Sequence, residues 1–400
     1  MEPRVMPAKR RIIVGIFIHA FSWGVQIRGD ERGYIEKVKA YKELGVDFYT
    51  LEKTPSLQDG MQEKVYESMT LGTSPVPPTS VSQLLFLSLR SVGAVRRRYP
   101  ARPMAVYAYN QDIENLWVGF LLKVLLGAPL VVVYHHLRPA SFSTFRGGVA
   151  DRLRRGFHPF RAFSNSILPA LNLFSARHAD VQIALSAATK DDVERYIGVK
   201  NCVVVGNGLD SGKFRPLDLP KDIDGVFLGR LAPQKGIDTL LKAWKQVIQE
   251  DPKSRLVLIG GGEAKDVASY KQMSRELGLE QNVRFAGFVS DEEVVRVMGS
   301  SRVFVFPSRK EGFAQAVSQA MGCGLCCILS EIPSLKEVYG DAASFVPVDD
   351  PQALAERIIH LLDTDDERGE LAKRARRFAV GLSWKETATK ELDLIETWQR

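Results

Sequence analysis

Long uninterrupted apolar runs are scarce in this chain of 400 residues. The most apolar long stretch, residues 116–133, contains Lys123 and is broken by Gly127 and Pro129. A membrane-spanning helix needs about 20 consecutive apolar residues, so we expect a helix, a turn and a strand here. The apolar run at residues 12–18 is too short for a signal-peptide core with a cleavage site. We therefore expect a cytoplasmic protein.

Cysteine is also rare, with four residues: Cys202, Cys323, Cys326 and Cys327. The Cys323-x-x-Cys326 spacing occurs in redox and zinc sites, but no second Cys or His pair follows at a metal-binding spacing. Cys326 and Cys327 lie inside an apolar run, which favours buried reduced thiols in a reducing compartment. The sequence thus predicts no metal site.

Motifs for nucleic-acid and dinucleotide binding are missing. There is no zinc-finger spacing, no RNP-type motif and no long basic tail, which excludes the common nucleic-acid modules. The loop after the first apolar run has no G-x-G-x-x-G pattern, and no Gly-Lys-Ser/Thr P-loop occurs. The net charge of +7 instead favours phosphorylated ligands or an anionic lipid surface as partners.

An ordinary globular composition is what remains, with 45% hydrophobic and 25% charged residues. Short apolar runs typical of buried strands alternate with segments of helical periodicity, which predicts an α/β fold with parallel sheets. A chain of this length has room for two sizeable cores.

The clearest unit lies at residues 303–329. Two buried strands are predicted at residues 303–306 and 325–329, joined by a helix whose apolar face begins at Phe313. The connecting loop places Glu311 at the carboxyl end of the first strand, where parallel sheets bind ligands. A carboxylate there could accept sugar or ribose hydroxyl protons. The alternative is that Glu311 only caps the helix.

The residues around this loop resemble a known family. Glu311-Gly312-Phe313, a polar residue eight positions after Glu311, and Ala320-Met321-x-x-Gly324 are similar to the signature of family-4 retaining glycosyltransferases of the GT-B fold. The resemblance implies two Rossmann-like domains whose parallel sheets face across a cleft. It also implies a nucleotide-diphosphate sugar donor, such as a UDP- or GDP-sugar, and no cofactor.

In the family, two glutamates stand at this spacing: the first touches the donor sugar and the second binds ribose hydroxyls. Here the second position is Gln319. An amide oxygen still accepts hydrogen bonds but lacks the negative charge, so we expect weaker donor binding rather than none. The resemblance also places Gly312 and Phe313 against the donor.

A second loop, residues 229–236, combines glycines, a following helix N-terminus and two cations, Arg230 and Lys235. Such a loop suits phosphate groups. It matches the diphosphate-binding loop of the family, which implies that Arg230 and Lys235 neutralise the leaving phosphate in place of a metal ion.

Other site residues follow from the resemblance alone. The family reads the nucleotide base largely through backbone atoms near Gly261 and Val289. It has a histidine at the position of His135, usually followed by Asp, where this chain has His136. A histidine at this strand end can donate to a sugar hydroxyl or to a developing charge, which predicts a site role for His135. The alternative is that both histidines only pack or cap. The family also has a glycine-bearing loop that faces the cleft, and Gly24 is the donor-binding candidate for it.

Two domains and a terminal helix are expected. Residues 1–208 form a Rossmann-like acceptor-side domain, and residues 209–380 form a Rossmann-like nucleotide-sugar domain. Residues 381–400 form a helix that, in GT-B proteins, packs back on the first domain.

The segment at residues 137–178 is basic and aromatic, with Asp151 as its only acid. Its cations are Arg138, Arg146, Arg152, Arg154, Arg155, Arg161 and Arg177, interleaved with Phe142, Phe145, Phe157, Phe160, Phe163 and Phe174. Arginines beside aromatics suit an anionic membrane surface. We expect peripheral membrane attachment and a lipid-linked acceptor; the alternative is a solvated basic face over core phenylalanines.

The sequence is compatible with three functions. The first is an active transferase acting on a glycan, lipid or small-molecule acceptor, with no carboxylate nucleophile assigned. The second is a catalytically silent GT-B scaffold, which Gln319 and His136 favour. The third is a GT-B sugar-nucleotide epimerase, whose paired acid and His we do not locate.

Overall fold

A computed structural model describes residues 11–17, 29–52, 67–70, 81–98, 102–137, 141–156 and 158–399. The chain divides into two compact units, residues 1–206 with 384–400 (unit 1) and residues 207–383 (unit 2). The sequence placed the boundaries after residues 208 and 380, and the structure places them after residues 206 and 383.

Unit 1 contains a seven-stranded parallel sheet in the order β3-β2-β1-β4-β5-β6-β7. Its strands are β1 (Arg11–Phe17), β2 (Val46–Glu52), β3 (Glu67–Thr70), β4 (Ala105–Ala108), β5 (Leu130–Tyr134), β6 (Val181–Ala184) and β7 (Cys202–Val204). The Ser, Thr and Pro content of residues 53–78 predicts a loop, and this prediction is wrong for β3. This four-residue edge strand, ESMT, pairs with β2 but shows no apolar run or alternation.

Helices cover both faces of this sheet. They are α1 (Gly29–Glu43), α2 (Val81–Arg98), α3 (Ile113–Leu126), α4 (Phe145–Arg154), α5 (Pro159–Arg177), α6 (Ala187–Ile197) and α14 (Trp384–Gln399). Successive residues of a strand point to opposite faces. Val14 and Ile16 accordingly join the core formed with α2, α3 and α5. A Cβ built on Gly15 would instead meet the Tyr34 hydroxyl of α1.

The terminal helix α14 belongs to unit 1 and packs on α1. Its Glu391 is fully buried and pairs with Lys37 of α1 at 2.6 Å. The hydroxyls of Tyr41 and Tyr107 donate to the other Glu391 oxygen at 3.0 and 2.6 Å. Burial, reinforced by the Glu391 charge, raises the pKa of both tyrosines far above the usual value. The carboxylate is therefore fully hydrogen-bonded inside an apolar layer.

Unit 2 contains a six-stranded parallel sheet in the order β10-β9-β8-β11-β12-β13. Its strands are β8 (Ile223–Leu228), β9 (Leu256–Ile259), β10 (Val283–Gly287), β11 (Ser301–Phe306), β12 (Cys326–Ser330) and β13 (Ser344–Val346). This is the doubly wound order 3-2-1-4-5-6, which reverses between β8 and β11. The predicted α/β class with Rossmann-like parallel sheets is confirmed.

The helices of unit 2 are α7 (Ile237–Glu250), α8 (Ala264–Glu276), α9 (Asp291–Gly299), α10 (Gln315–Gly322), α11 (Pro333–Tyr339), α12 (Pro351–Asp363) and α13 (Asp365–Val380). Apolar residues recur at helical spacing along α7, which predicts one buried face. This face is buried, with Trp244 at its centre. Side-chain caps begin two helices: Ser290 accepts from the Glu293 N–H and Asp350 from the Ala353 N–H.

The cysteines lie in the cores as reduced thiols. Burial raises the pKa of Cys323 and Cys326 to about 12, so neither forms a thiolate near neutral pH. No helix in the described ranges has both the length and the apolar character to cross a bilayer.

Candidate functional site

Two loops meet at the point where the strand order of unit 2 reverses. One follows β8 and contains Arg230 and Lys235; the other follows β11 and contains Glu311. Backbone contacts join them, because the Arg309 N–H donates to Gln234 O at 2.8 Å. Gly236 has φ +67°, and a Cβ there would lie 2.0 Å from Pro307 O. Only glycine allows this approach, which fixes the start of α7 beside the second loop.

Lys235 and Glu311 form an ion pair between the two loops. The Lys235 Nζ lies 2.5 Å from the Glu311 Oε1 and 5.0 Å from the centroid of the Phe306 ring. The side chains are 17% and 9% exposed. The sequence predicted Lys235 to bind phosphate and Glu311 to bind sugar. In the structure they contact each other at the switch point, where the strand order reverses.

Ser308 contacts the same carboxylate oxygen as Lys235. Its buried hydroxyl lies 2.6 Å from the Glu311 Oε1, and the Ser334 hydroxyl donates to the Glu311 backbone carbonyl at 2.8 Å. The N-cap of α10 is Ala314, which makes no side-chain capping bond. The interpretation of Glu311 as a helix cap is therefore wrong.

Arg309 ties the two loops together through its whole guanidinium group. Its Nη1 and Nη2 lie 2.9 and 2.7 Å from the two oxygens of Asp238 in the first turn of α7. Its Nε donates to Asp349 at 2.6 Å, and Nη1 also donates to Pro233 O. Asp349 has a φ of 58°, unusual for a residue other than glycine.

Burial alone would raise the pKa of Asp238, but hydrogen bonds and charge from Arg309 outweigh it and lower this pKa. The sequence pattern did not predict a role for Ser308, Arg309, Asp238 or Asp349. Arg309 could have been identified by its position, because it lies between the end of the strand and Glu311 in the predicted ligand-binding loop. Its carboxylate partners are too distant along the chain to be read from spacing.

Arg230 lies along the same edge of the sheet as Gly261 and Val289, the two residues predicted to approach the nucleotide base. Arg230 follows Gly229 directly and is exposed. The Leu231 N–H donates to Gly261 O at 2.7 Å, which joins the loops after β8 and β9. A Cβ at Gly261 would lie 2.4 Å from the Phe288 ring, so that ring rests against the glycine. Val289, next to it, is half-buried.

The helix side of the loop holds the remaining predicted residues. Gly312 is buried, and the ring of half-buried Phe313 lies 6.0 Å from that of Tyr339. Helix α10 begins at Gln315 rather than at Phe313. Gln319 lies on α10 and is 5% exposed. The Gln315 amide donates to Gly208 O, so its side chain is used within unit 2.

His135 lies in unit 1, at the carboxyl end of β5. Its Nε2 donates to Tyr109 O at 2.9 Å, and the two rings pack edge to face at 4.7 Å. Neutral His135 therefore carries its proton on Nε2. His136 accepts, through its backbone carbonyl, the side-chain amide of Gln111 at 2.5 Å. Gly24 lies outside the described residues.

The described residues include no group of three or more His, Cys, Asp or Glu side chains placed to hold a metal ion. What the switch-point loops do offer is a cation, a carboxylate and backbone N–H groups at the N-termini of α7 and α10. Cations and helix N-termini bind phosphate, and carboxylates accept hydroxyl protons. The arrangement suits a ligand that carries both phosphate and hydroxyl groups.

Comparison with protein families agrees with this geometry. Residues 27–213 match Glycosyltransferase Family 4, and residues 213–378 match Glycosyl transferases group 1. Together the two matches cover nearly all of the described chain.

Curated relatives carry transferase names. The chain is 31% identical over 382 residues to the D-inositol 3-phosphate glycosyltransferase of Corynebacterium diphtheriae, covering 89% of this chain and 86% of that protein. It is 28% identical over 168 residues to the O-antigen chain mannosyltransferase B of Escherichia coli, 42% of this chain and 44% of that protein. The chain spans about half the length of several curated relatives that it matches.

Solved structures share the fold across the whole chain. The sucrose-phosphate synthase of Thermosynechococcus elongatus superposes with a TM-score of 0.78 at 21% identity, covering 97% of this chain and 99% of that one. The Anabaena protein HepE, in complex with UDP and glucose, gives a TM-score of 0.74 at 19% identity with the same coverage. The chain thus belongs to the family of group 1, family-4 glycosyltransferases and has their GT-B fold.

Proposed function

We propose that the protein is a retaining glycosyltransferase that moves a sugar from a nucleotide-diphosphate sugar to an acceptor. The observation that carries the proposal is the Lys235–Glu311 pair, held by Ser308 at the reversal of the strand order. A donor of this class presents phosphate groups beside sugar hydroxyls. Lys235 is suited to the phosphate groups and Glu311 to the hydroxyl groups.

Donor binding breaks the contact between Lys235 and Glu311. The Lys235 ammonium then binds the phosphate oxygens, with Arg230 as the second cation, and Glu311 accepts hydrogen bonds from hydroxyl groups of the transferred sugar. Because Glu311 keeps its bond from Ser308, the carboxylate stays in place while Lys235 changes partner. Preorganised groups of this kind stabilise charge without reorganisation during the reaction.

The leaving nucleoside diphosphate gains charge as the glycosidic bond breaks. Lys235, Arg230 and the N–H groups at the start of α7 neutralise that charge, so the proposed reaction needs no metal ion. Retention of anomeric configuration rests on the family resemblance; no residue is assigned as a nucleophile. Measuring the anomeric configuration of donor and product by proton NMR tests it, and an inverted product would reject it.

The nucleoside extends from the phosphates towards β9 and β10. Neighbouring strands lie about 4.8 Å apart, so the loops after these strands lie at the distance of ribose and base from the diphosphate. Gly261 and Val289 then approach the base through their backbones, and Gln319 accepts a ribose hydroxyl.

Two classes of acceptor fit the proposed transferase. Several relatives are named for D-inositol 3-phosphate, which favours a phosphorylated polyol, while the basic helices of unit 1 favour a lipid-linked acceptor. His135 serves as the hydroxyl-binding or charge-stabilising group on the acceptor side. Parallel assays with inositol phosphate and with a lipid-linked acceptor distinguish the two classes.

The decisive experiment incubates the purified protein with UDP-, GDP- and ADP-sugars, each with and without acceptor mixtures. Release of nucleoside diphosphate with acceptor-dependent product supports the transferase. Tight donor binding without turnover indicates a silent scaffold, and conversion of one nucleotide sugar into its epimer indicates an epimerase. Glu311→Gln serves as the matched control, because the change preserves size but removes the hydroxyl-accepting charge.

A further inference from the structure

Exposed apolar side chains are concentrated on one helical face of unit 1. Of the fifteen exposed large apolar side chains among the described residues, eight lie on α2, α3, α4 and α5. Helices α1 and α14, on the other face of the sheet, carry only Trp398. Since α2 packs on α3, α3 on α5 and α5 on α4, these helices form one continuous layer, called here the α2–α5 face. Exposed apolar clusters of this kind mark docking surfaces.

Helix α2 is the most apolar part of this face. Leu85, Phe86 and Leu89 are 54%, 60% and 65% exposed, although a helix of this length needs only its inner side apolar. Leu85 and Leu89 lie one turn apart, and Arg96 continues the same stripe towards the C-terminus. On α3, Val124 and Leu125 are also exposed.

Positive charge is concentrated in the same helices. Helices α2 to α5 contain ten Arg and Lys residues and two Asp and Glu residues. Two of these cations are paired with acids outside the four helices, Arg98 with Glu67 and Lys123 with Asp180. Helix α2 has four arginines and no acid. The guanidinium of Arg90 lies 5.8 Å from the Phe86 ring centroid, so a cation adjoins the exposed ring.

The arginines after residue 137 are less available than the sequence implied. Arg152 donates to Gly148 O and Ser166 Oγ, Arg177 donates to Ile197 O, and Arg155 pairs with Asp151. Phe142 is buried, whereas Phe174 is exposed. Exposed apolar groups and exposed cations coincide best on α2, outside the segment that the sequence singled out.

We propose that the α2–α5 face docks on an anionic lipid bilayer, with Leu85, Phe86 and Leu89 entering the interface and Arg96 and Arg97 contacting the headgroups. A second copy of this chain would bring two faces of like charge together, which is unfavourable. Nucleic acid would match the charge but leave the leucines and Phe86 exposed. A bilayer with anionic headgroups covers both.

This inference rests on the proposed function only in its consequence, which is that a lipid-linked acceptor is met at the membrane surface. The docking itself is tested without donor or acceptor, by sedimenting the full chain with phosphatidylcholine vesicles that contain or lack phosphatidylglycerol. We expect binding to the anionic vesicles at low salt and release at high salt.

Two variants separate the contributions of charge and apolar contact. Arg96→Gln with Arg97→Gln should weaken binding to anionic vesicles about 30-fold, since each cation near the surface contributes about 1 kcal/mol. Phe86→Ala with Leu89→Ala should weaken vesicle binding at least tenfold, because less apolar area is buried in the bilayer. The matched control, Arg377→Gln with Val380→Ala on α13 of unit 2, should bind as the wild type does.

Other results reject the inference. These are wild-type binding no better to anionic than to neutral vesicles, or equal binding by all variants. If the protein forms a dimer without lipid, and Phe86→Ala with Leu89→Ala converts it to a monomer, the face is a self-association surface instead. Nucleoside diphosphate release is measured in parallel, on the same protein preparations after donor and acceptor are added. Vesicle binding without turnover supports the docking but rejects the transferase, and turnover without vesicle binding does the reverse.

Discussion

Lys235 is a largely buried cation, and its removal has consequences beyond catalysis. The pair it forms with Glu311 is shielded from water, so Lys235→Ala leaves a carboxylate with Ser308 as its remaining side-chain donor. We expect this variant to lose donor turnover and about 2 kcal/mol of unfolding free energy, because a buried charge without its partner is costly. Donor assays and urea unfolding measure the two effects.

A paired set of variants tells the two effects of Lys235 apart. Lys235→Ala combined with Glu311→Gln should recover most of the unfolding free energy but none of the turnover. Arg230→Ala, on an exposed side chain, should lower turnover with a smaller loss of stability than Lys235→Ala. Wild-type turnover in both Lys235→Ala and Arg230→Ala would contradict the phosphate-loop assignment.

Gln319 permits a test in the direction of gained affinity. It is almost fully buried, so the carboxylate of Gln319→Glu is desolvated unless ribose hydroxyls donate to it. We expect the variant to have a lower melting temperature than the wild type without ligand, and a larger increase on adding nucleoside diphosphate. Thermal shift and calorimetric titration give both quantities; weaker nucleotide binding by the variant would show that Gln319 does not face ribose.

At the scale of elements, Arg309 fixes the loop after β11 to the start of α7. Lysine keeps the charge but not the fork geometry that contacts both Asp238 oxygens, so Arg309→Lys should displace the two loops relative to each other. We expect the kcat/KM for the donor to fall about tenfold or more, since small misplacements at a reacting centre are costly. Asp238→Asn should cause a similar loss, and the double variant little more.

This contact also has a pH signature. Because Arg309 lowers the pKa of Asp238 in the folded state, the stabilisation is present above the unfolded pKa of about 4 and is lost as pH falls through the folded value. The difference in unfolding free energy between wild type and Asp238→Asn should therefore shrink in acid. A constant difference from neutral pH down to acid would contradict the assignment.

Strands and helices with strong local patterns were predictable, and contacts between distant segments were not. The strand before Glu311, α7 and the glycines at the strand ends follow from apolar runs and turn residues. The short edge strand β3 lacks such a pattern and forms because β2 offers a free edge. Lys235 and Glu311 were each singled out by motif, but their pairing depends on the order of β8 and β11 in the sheet.

The contact between α14 and α1 also could not be predicted from local sequence patterns, because Lys37 and Glu391 are separated by most of the chain. Removing one partner of a buried, hydrogen-bonded pair costs about 3–5 kcal/mol. We expect Glu391→Gln to destabilise unit 1 by roughly this amount, since Lys37, Tyr41 and Tyr107 all lose a charged acceptor. Chemical unfolding followed by fluorescence measures the loss; Asp393→Asn, at an exposed position of the same helix, is a control.

At the scale of the molecule, the two units differ in how the chain builds them. Unit 1 needs both ends of the sequence, residues 1–206 and 384–400, whereas unit 2 is one continuous segment. Both switch-point loops, their Arg309 contacts and the sheet that carries them lie within that segment. Among the described residues, the proposed donor groups Arg230, Lys235, Glu311 and Gln319 are thus all encoded between residues 207 and 383.

This continuity predicts that residues 207–383 fold alone and bind nucleoside diphosphate without transferring sugar. The core of unit 2 closes within the segment, and Glu311, Lys235 and Arg230 keep their positions. Calorimetry should give a dissociation constant within about tenfold of that of the full chain, and Lys235→Ala in the same segment should abolish binding. Residues 1–206 alone should be less stable, because Lys37 then lacks Glu391. A folded segment 207–383 that binds no nucleotide, while the full chain does, would show that unit 1 supplies part of the donor site.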